Sequence, residues 1–266
     1  MEPRGGGKAG LKYAIYCGDC LEVLPKFPPS LFDAVVTDPP MGLSTGIRIT
    51  RKPHHKFSAR TDIVLDFGPW DHFPNREAFL DFTEKWVSEC CRVLKPGGAF
   101  VSYFPKREVS YLCDMLEERG FTVKDILVHC LANPCPQARR VKFMQGVLFI
   151  VWAVKEGAKP FFNWRLGEHL NYIITPLCQG RERVGHPTQK PLKAIKWLVA
   201  YLTPPGGLVL DPFLGSGTTM VACIELGRSC VGIEANPAYC ALARARVLKA
   251  LEAREAKPWN RMSGFI

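Results

Sequence analysis

Gly207-Leu208-Val209-Leu210-Asp211-Pro212-Phe213-Leu214-Gly215-Ser216-Gly217-Thr218-Thr219 reads as a buried strand that runs through a glycine-rich turn into a helix. Glycines in such a turn let the main chain approach a ligand, and the helix that follows offers free N–H groups. The turn is not the dinucleotide fingerprint, because Met220 stands where its third glycine would be. It is not a phosphate-binding P-loop either, because no Gly-Lys-Ser/Thr follows. The next strand, 229–233, ends at Glu234, about twenty residues beyond the turn, where a carboxylate can accept both hydroxyls of a ribose. Strand-end Asp, Gly-x-Gly turn and strand-end Glu together point to a nucleoside cofactor.

Upstream, strands and helices alternate. Residues 12–17 form a strand with Gly18-Asp19 at its end, and a short helix follows over 21–24. Residues 32–37 form a second strand, which ends in Val35-Val36-Thr37-Asp38-Pro39-Pro40-Met41. Each proline fixes its own φ and keeps the preceding residue out of the helical region, so a rigid extended loop follows Asp38. Taken alone, Asp38 is either a turn-capping residue or a ligand-binding one. Two neighbouring strands that both end in Asp are expected along the ligand edge of a parallel sheet. Phe79, Phe82, Trp86, Cys90 and Leu94 have helical spacing over 77–94, and Lys95-Pro96-Gly97-Gly98 stops that helix. A strand (99–104), a helix (107–119) and two strands (121–131 and 146–154) follow. A further helix runs from His186-Pro187-Thr188-Gln189-Lys190-Pro191 to about 201, and a long one starts at Asn236. The pattern is α/β with a largely parallel sheet.

The composition describes one large globular domain of 266 residues, 47% hydrophobic and 23% charged. Residues 1–8 read as a tail that is neither a signal peptide nor a membrane anchor, and no run of eighteen apolar residues occurs. Eleven scattered cysteines without a secretion signal are expected to be reduced thiols in a cytoplasmic protein. Cys17-Gly18-Asp19-Cys20 lacks a second pair at zinc spacing, so no metal site is expected.

A net charge of +10 fits a polyanionic partner. Arg48, Arg51, Lys52, Lys56 and Arg60 fall in an irregular stretch with no acid; it is a solvated loop or one that closes over a charged strand. Arg139, Arg140 and Lys142 make a second basic loop. In 155–185 periodicity is lost, and Phe161, Phe162, Trp164 and Tyr172 mingle with Arg165, Arg181 and Arg183. That mixture suits nucleic-acid contact or a small satellite cluster under a loop.

Four blocks in one order then carry a specific resemblance. The turn 211–219 resembles the S-adenosylmethionine motif of amino-methylating DNA methyltransferases, and Thr37-Asp38-Pro39-Pro40 resembles their catalytic Asp-Pro-Pro-Tyr motif. His186-Pro187-Thr188-Gln189-Lys190-Pro191 matches the segment before the cofactor motif in the permuted β class, whose catalytic motif comes first in the chain. Gly18-Asp19, Arg92-Val93-Leu94-Lys95-Pro96-Gly97-Gly98 and Asn133-Pro134-Cys135-Pro136 are smaller matches, and the likeness extends from about Tyr13 to Leu248.

The resemblance implies a Rossmann-like class I methyltransferase fold with a seven-stranded, mostly parallel sheet and circularly permuted motif order. The whole chain would be a single domain, with a basic loop at 41–76 and a short target-recognition segment at 155–185. S-adenosyl-L-methionine would be the cofactor. Phe213, Gly215, Ser216, Gly217, Thr218 and Asp38 would line it, with Asp211 near its methionine part, Glu234 on the ribose and Asp19 on the adenine amine. Thr188, Gln189 and Lys190 would complete the pocket.

Asp38, Pro39, Pro40 and Met41 would be the catalytic motif, acting on the amine of a base flipped out of double-stranded DNA. Asp38 and a nearby carbonyl would accept both amino hydrogens and aim the nitrogen lone pair at the methyl. Met41 departs from the family's Tyr or Phe, and no Pro-Cys motif of a cytosine-C5 enzyme is present. Arg48, Arg51, Lys52, Lys56, Arg139, Arg140, Lys142, Arg181 and Arg183 would contact DNA. The expected activity is adenine-N6 methylation. Cytosine-N4 methylation, a silent DNA-binding protein with a vestigial cofactor pocket, and an enzyme acting on structured RNA stay open. So do a homodimer and a cognate restriction endonuclease.

Overall fold

The computed structural model describes residues 10–44, 48–50, 62–64, 66, 68–135, 141 and 143–256; for 48–50 and 62–64 it describes the backbone alone. Ten strands are β1 (Tyr13–Cys17), β2 (Phe32–Thr37), β3 (Arg48–Thr50), β4 (Asp62–Val64), β5 (Leu94–Phe104), β6 (Phe121–Leu131), β7 (Val147–Lys155), β8 (Tyr172–Thr175), β9 (Leu208–Asp211) and β10 (Ser229–Glu234). Six helices are α1 (Cys20–Val23), α2 (Arg76–Val93), α3 (Val109–Glu117), α4 (Leu192–Leu202), α5 (Thr218–Leu226) and α6 (Pro237–Glu255).

Eight strands form one sheet in the order β1-β10-β9-β2-β5-β7-β6-β8, and β3 and β4 pair antiparallel on their own. The run from β1 to β5 is parallel, β7 is antiparallel to both of its neighbours, and β8 lies parallel to β6. The expected seven strands therefore become eight. The extra one is β8, within a segment expected to be irregular, registered from Val128↔Tyr172 to Leu131↔Thr175.

A second correction concerns β1 and β2. They are not neighbours, because the last two strands of the chain, β9 and β10, insert between them. Asp19 and Asp38 accordingly flank the glycine-rich turn instead of lying side by side.

β2 is buried on both faces, as central parallel strands are. Ala34 and Val36 pack with α4, α5 and α6 residues such as Leu198, Met220 and Ala243. Val35 packs with Trp86, Val87 and Leu112 from α2 and α3. Asn75 caps α2 by accepting from Ala78 N at 2.8 Å. Lys95-Pro96-Gly97-Gly98 does end α2, yet the chain enters β5 already at Leu94, with a register shift before Ala99. Because β1, β10, β9, β2 and β5 run the same way, their carboxyl ends bring Asp19, Glu234, Asp211 and Asp38 to one edge, where ligands bind in open α/β sheets. No described helix is long and apolar enough to cross a membrane. All eleven cysteines are free thiols.

Candidate active site

The turn after β9 is held in the shape its glycines permit. Gly215 and Gly217 have φ of 53° and 82°, the left-handed region that side chains disfavour. A Cβ on Gly215 would lie 3.2 Å from His186 Nε2, and one on Gly217 would lie 3.1 Å from Ala243 Cβ. Glu234, at the end of β10, accepts from Gly215 N and from Asn236 N, both at 2.8 Å, and burial raises its carboxyl above the ordinary value. The Phe213 ring stands edge-on to Trp86 with centroids 5.3 Å apart. A recessed carboxylate beside a glycine turn that opens a helix fits a nucleoside with ribose hydroxyls.

Asp211 is buried, and burial pushes its carboxyl up to about 6. It accepts from Thr37 Oγ1 at 2.7 Å and Phe213 N at 3.1 Å, so β2 and β9 are tied side chain to side chain. Asp19 caps α1 by accepting from Leu21 N at 2.8 Å.

Three residues expected on the cofactor have their side chains turned to protein. Ser216 Oγ and Thr218 Oγ1 both accept from the Arg246 guanidinium, at 2.9 and 3.0 Å. Gln189 accepts from Val184 N at 3.0 Å and donates to Glu182 O at 2.7 Å. These bonds brace the turn and the 182–190 segment. Thr188 Oγ1 lies 3.5 Å from His186 Nδ1. His186 is buried against Tyr239, with ring centroids 4.5 Å apart, and burial lowers its imidazole to about 4.

Lys190, also expected at the cofactor, is paired with Asp38. Its ammonium binds Asp38 Oδ2 and sits 4.9 Å from the Tyr103 ring centroid. Asp38 Oδ1 is buried, with no hydrogen-bond partner among the described residues. Burial raises the Asp38 carboxyl, the Lys190 charge pulls it down, and nearby Asp71 pushes it up again. Beneath Lys190, Tyr103 Oη meets His129 Nδ1 at 3.1 Å, and His129 Nε2 meets Thr175 Oγ1 at 2.7 Å. Burial and the Lys190 charge lower His129 to about 4, so it is neutral at neutral pH.

After the prolines, the main chain of 41–44 bends around Asp71. Met41 N and Gly42 N donate to Asp71 Oδ1, and Leu43 N and Ser44 N donate to Oδ2, at 2.7 to 2.8 Å. Nothing in the sequence singled out Asp71. Its only local signal is a Gly-Pro-Trp-Asp turn at the end of the basic loop. Met41, Gly42 and Leu43 then line a cavity of about 510 Å3, whose floor includes Phe79, Phe104 and Phe149.

Of the residues expected to meet DNA, Arg181 and Arg183 are exposed beside the 3-10 turn Gly180–Glu182. Arg51, Lys52, Lys56, Arg139, Arg140 and Lys142 lie outside the described residues, as does the side chain of Arg48. Among the described residues no group of three or more His, Cys, Asp or Glu is placed to hold a metal.

The N6/N4 DNA methylase family model matches residues 32–245, from the strand that carries Asp38 to the helix behind the glycine turn. The chain belongs to this DNA methylase family. The methylase is 30% identical over 247 residues to the type II methyltransferase M2.DpnII of Streptococcus pneumoniae, covering 89% of this chain and 90% of that one. It is 28% identical over 256 residues to the type II methyltransferase M.HinfI of Haemophilus influenzae, covering 91% of this chain and 68% of the relative. The crystal structure of the M1.HpyAVI–SAM complex superposes with a TM-score of 0.70 at 30% identity, over 88% of the methylase and 98% of that chain. The methylase has the class I methyltransferase fold with the catalytic strand β2 ahead of the cofactor strand β9 in sequence.

Proposed function

We propose that this methylase modifies the N6 amine of adenine in double-stranded DNA, with Asp38 as the acceptor that directs the amine. The observation that carries this reading is the split state of the Asp38 carboxylate: Oδ2 is held by Lys190, while Oδ1 is buried and unpartnered. A buried polar atom without a partner is costly. An incoming amino N–H would relieve that cost, so the ground-state deficit becomes an attraction for the substrate's donor.

An exocyclic amine is a poor nucleophile because its lone pair is delocalised into the ring. Hydrogen bonds from its two N–H groups to Asp38 and to a main-chain carbonyl of the proline pair favour a tetrahedral nitrogen with a free lone pair. S-adenosyl-L-methionine is the methyl donor; when bound, it supplies a methyl on a positively charged sulfur. Glu234, Gly215 and Gly217 would hold its nucleoside. Once nitrogen has taken the methyl, it sheds one proton, and the Asp38 carboxylate is the base in place to receive it. The target base must leave the duplex to reach Asp38, and exposed Arg181 and Arg183 are suited to phosphates.

Aspartate before the two prolines favours adenine over cytosine-N4. The thioether of Met41 in place of an aromatic ring favours a second reading, a DNA-binding protein without turnover. Nucleoside analysis of DNA treated with enzyme and cofactor tests all of these at once. N6-methyl-2′-deoxyadenosine is the expected product; N4-methyl-2′-deoxycytidine would overturn the base assignment, and unmodified but tightly bound DNA would support the silent binder. Asp38→Ala is expected to abolish transfer and to leave cofactor binding within about twofold of wild type.

A further inference from the structure

We infer that Asp71 is a positioning residue for methyl transfer, a buried carboxylate that sets the conformation of the loop following the catalytic prolines. The inference rests on Asp38 being the amine acceptor, as proposed above. Pro39 and Pro40 fix φ at two positions but have no N–H, and ψ of Pro40 stays open. The first main-chain donors available after Asp38 are therefore those of Met41, Gly42, Leu43 and Ser44. Asp71 takes all four, two on each oxygen, within 2.7 to 2.8 Å.

The bond from Met41 N fixes the plane of the Pro40–Met41 peptide, which ψ of Pro40 would otherwise leave free. The other three curl the chain so that Met41 and Leu43 line the cavity beside the motif. Gly42, at φ 62°, accommodates that curl. Charge-assisted bonds to a carboxylate are about twice as strong as neutral ones, and this carboxylate is only 2% exposed. Four such bonds to one buried carboxylate hold the main chain of 41–44 in one conformation.

Asp71 is itself well anchored. It closes the 3-10 turn Pro69–Asp71, where Asp71 N donates to Gly68 O at 3.1 Å. Trp70 of the same turn stacks on His186 with centroids 6.1 Å apart, and His186 lies against Gly215. One short turn thus touches the catalytic loop with one residue and the cofactor segment with the next. Across a gap of 30 residues in sequence, Asp71 joins the turn Pro69–Asp71 to the residues that follow the acceptor motif.

Asp71→Asn tests the inference with little change in volume. The asparagine oxygen can still serve two N–H groups, but its NH2 would face the other two donors. In steady-state assays with S-adenosylmethionine and mixed-sequence duplex DNA, kcat is expected to fall at least about tenfold, with KM for S-adenosylmethionine within about twofold. Amide hydrogen exchange at 41–44 is expected to accelerate while the sheet amides stay protected. Asp71→Glu keeps four acceptor positions on a longer arm. It covers the case where asparagine impairs folding, and the same split is expected from it. A kcat within about twofold of wild type in a folded variant, with Asp38→Ala inactive beside it, overturns the role of Asp71. An active Asp38→Ala overturns instead the assignment on which the inference rests.

Discussion

Asp38 carries two opposing electrostatic influences, and their balance sets the pH range in which it can accept a proton donor. Burial, with the nearby negative charge of Asp71, raises its carboxyl above the ordinary 3.8, and Lys190 lowers it. Tyr103 and Asp211 face the same region, and Asp38 in turn raises both. In the proposed reaction methyl transfer needs the ionised carboxylate, so activity is expected to fall as pH drops through the Asp38 value. Lys190→Met removes the one group that pulls this value down, and the acid limb of kcat/KM is expected to move to higher pH. A pH–rate profile of wild type and variant checks the sign; an unmoved or lowered limb would show that Lys190 does not control Asp38. Lys190 was legible as a site residue from its motif, but not as the partner of Asp38. A contact spanning 152 residues of sequence leaves no local pattern, and neither does the capture of four amides by Asp71.

Among the elements, β2 and β9 are the pair on which the site depends, and one hydrogen bond links them at the edge where it matters. Thr37 Oγ1 donates to Asp211 Oδ1 at 2.7 Å, and both residues are buried. Thr37→Val keeps the shape of the side chain and removes the donor, leaving part of a buried carboxylate unserved. A loss of about 1–3 kcal/mol in unfolding free energy is expected, read from urea denaturation with an unchanged m-value. The same two strands were the easiest to read. Leu208–Asp211 and Phe32–Thr37 are short, mostly buried apolar runs, each followed within two residues by proline, which is how central parallel strands read in sequence. β8 was not readable, because its four residues alternate exposed Tyr172, buried Ile173, exposed Ile174 and buried Thr175 among aromatic and basic neighbours. The adjacency of β1 and β2 was misread for a different reason. Consecutive strands usually pair, but in this permuted order the chain's last strands fill the space between them.

For the molecule as a whole, the permuted order has a consequence for how DNA is met. The strand before Asp38 comes early, the glycine turn late, and residues 155–185 lie between them in sequence, so the sheet edge draws on segments far apart in the chain. The net charge of +10 is therefore informative only where it meets that edge. Arg181 and Arg183 do so through their neighbour: Glu182 Oε1 accepts from Leu192 N at 2.7 Å, and Glu182 O accepts from Gln189, one residue before Lys190. The 3-10 turn that presents both arginines is thus pinned to the segment that holds Asp38. Phosphate contacts release counterions, and each one steepens the fall of binding with salt by about 0.9 in log–log slope on duplex DNA. Replacing both arginines with alanine is expected to flatten that slope by about 1.8 while leaving S-adenosylmethionine affinity unchanged. Fluorescence anisotropy on duplex DNA across a salt series measures it. A slope equal to wild type would remove Arg181 and Arg183 from the phosphate-contacting set and leave that role to the basic residues of 48–60 and 139–142.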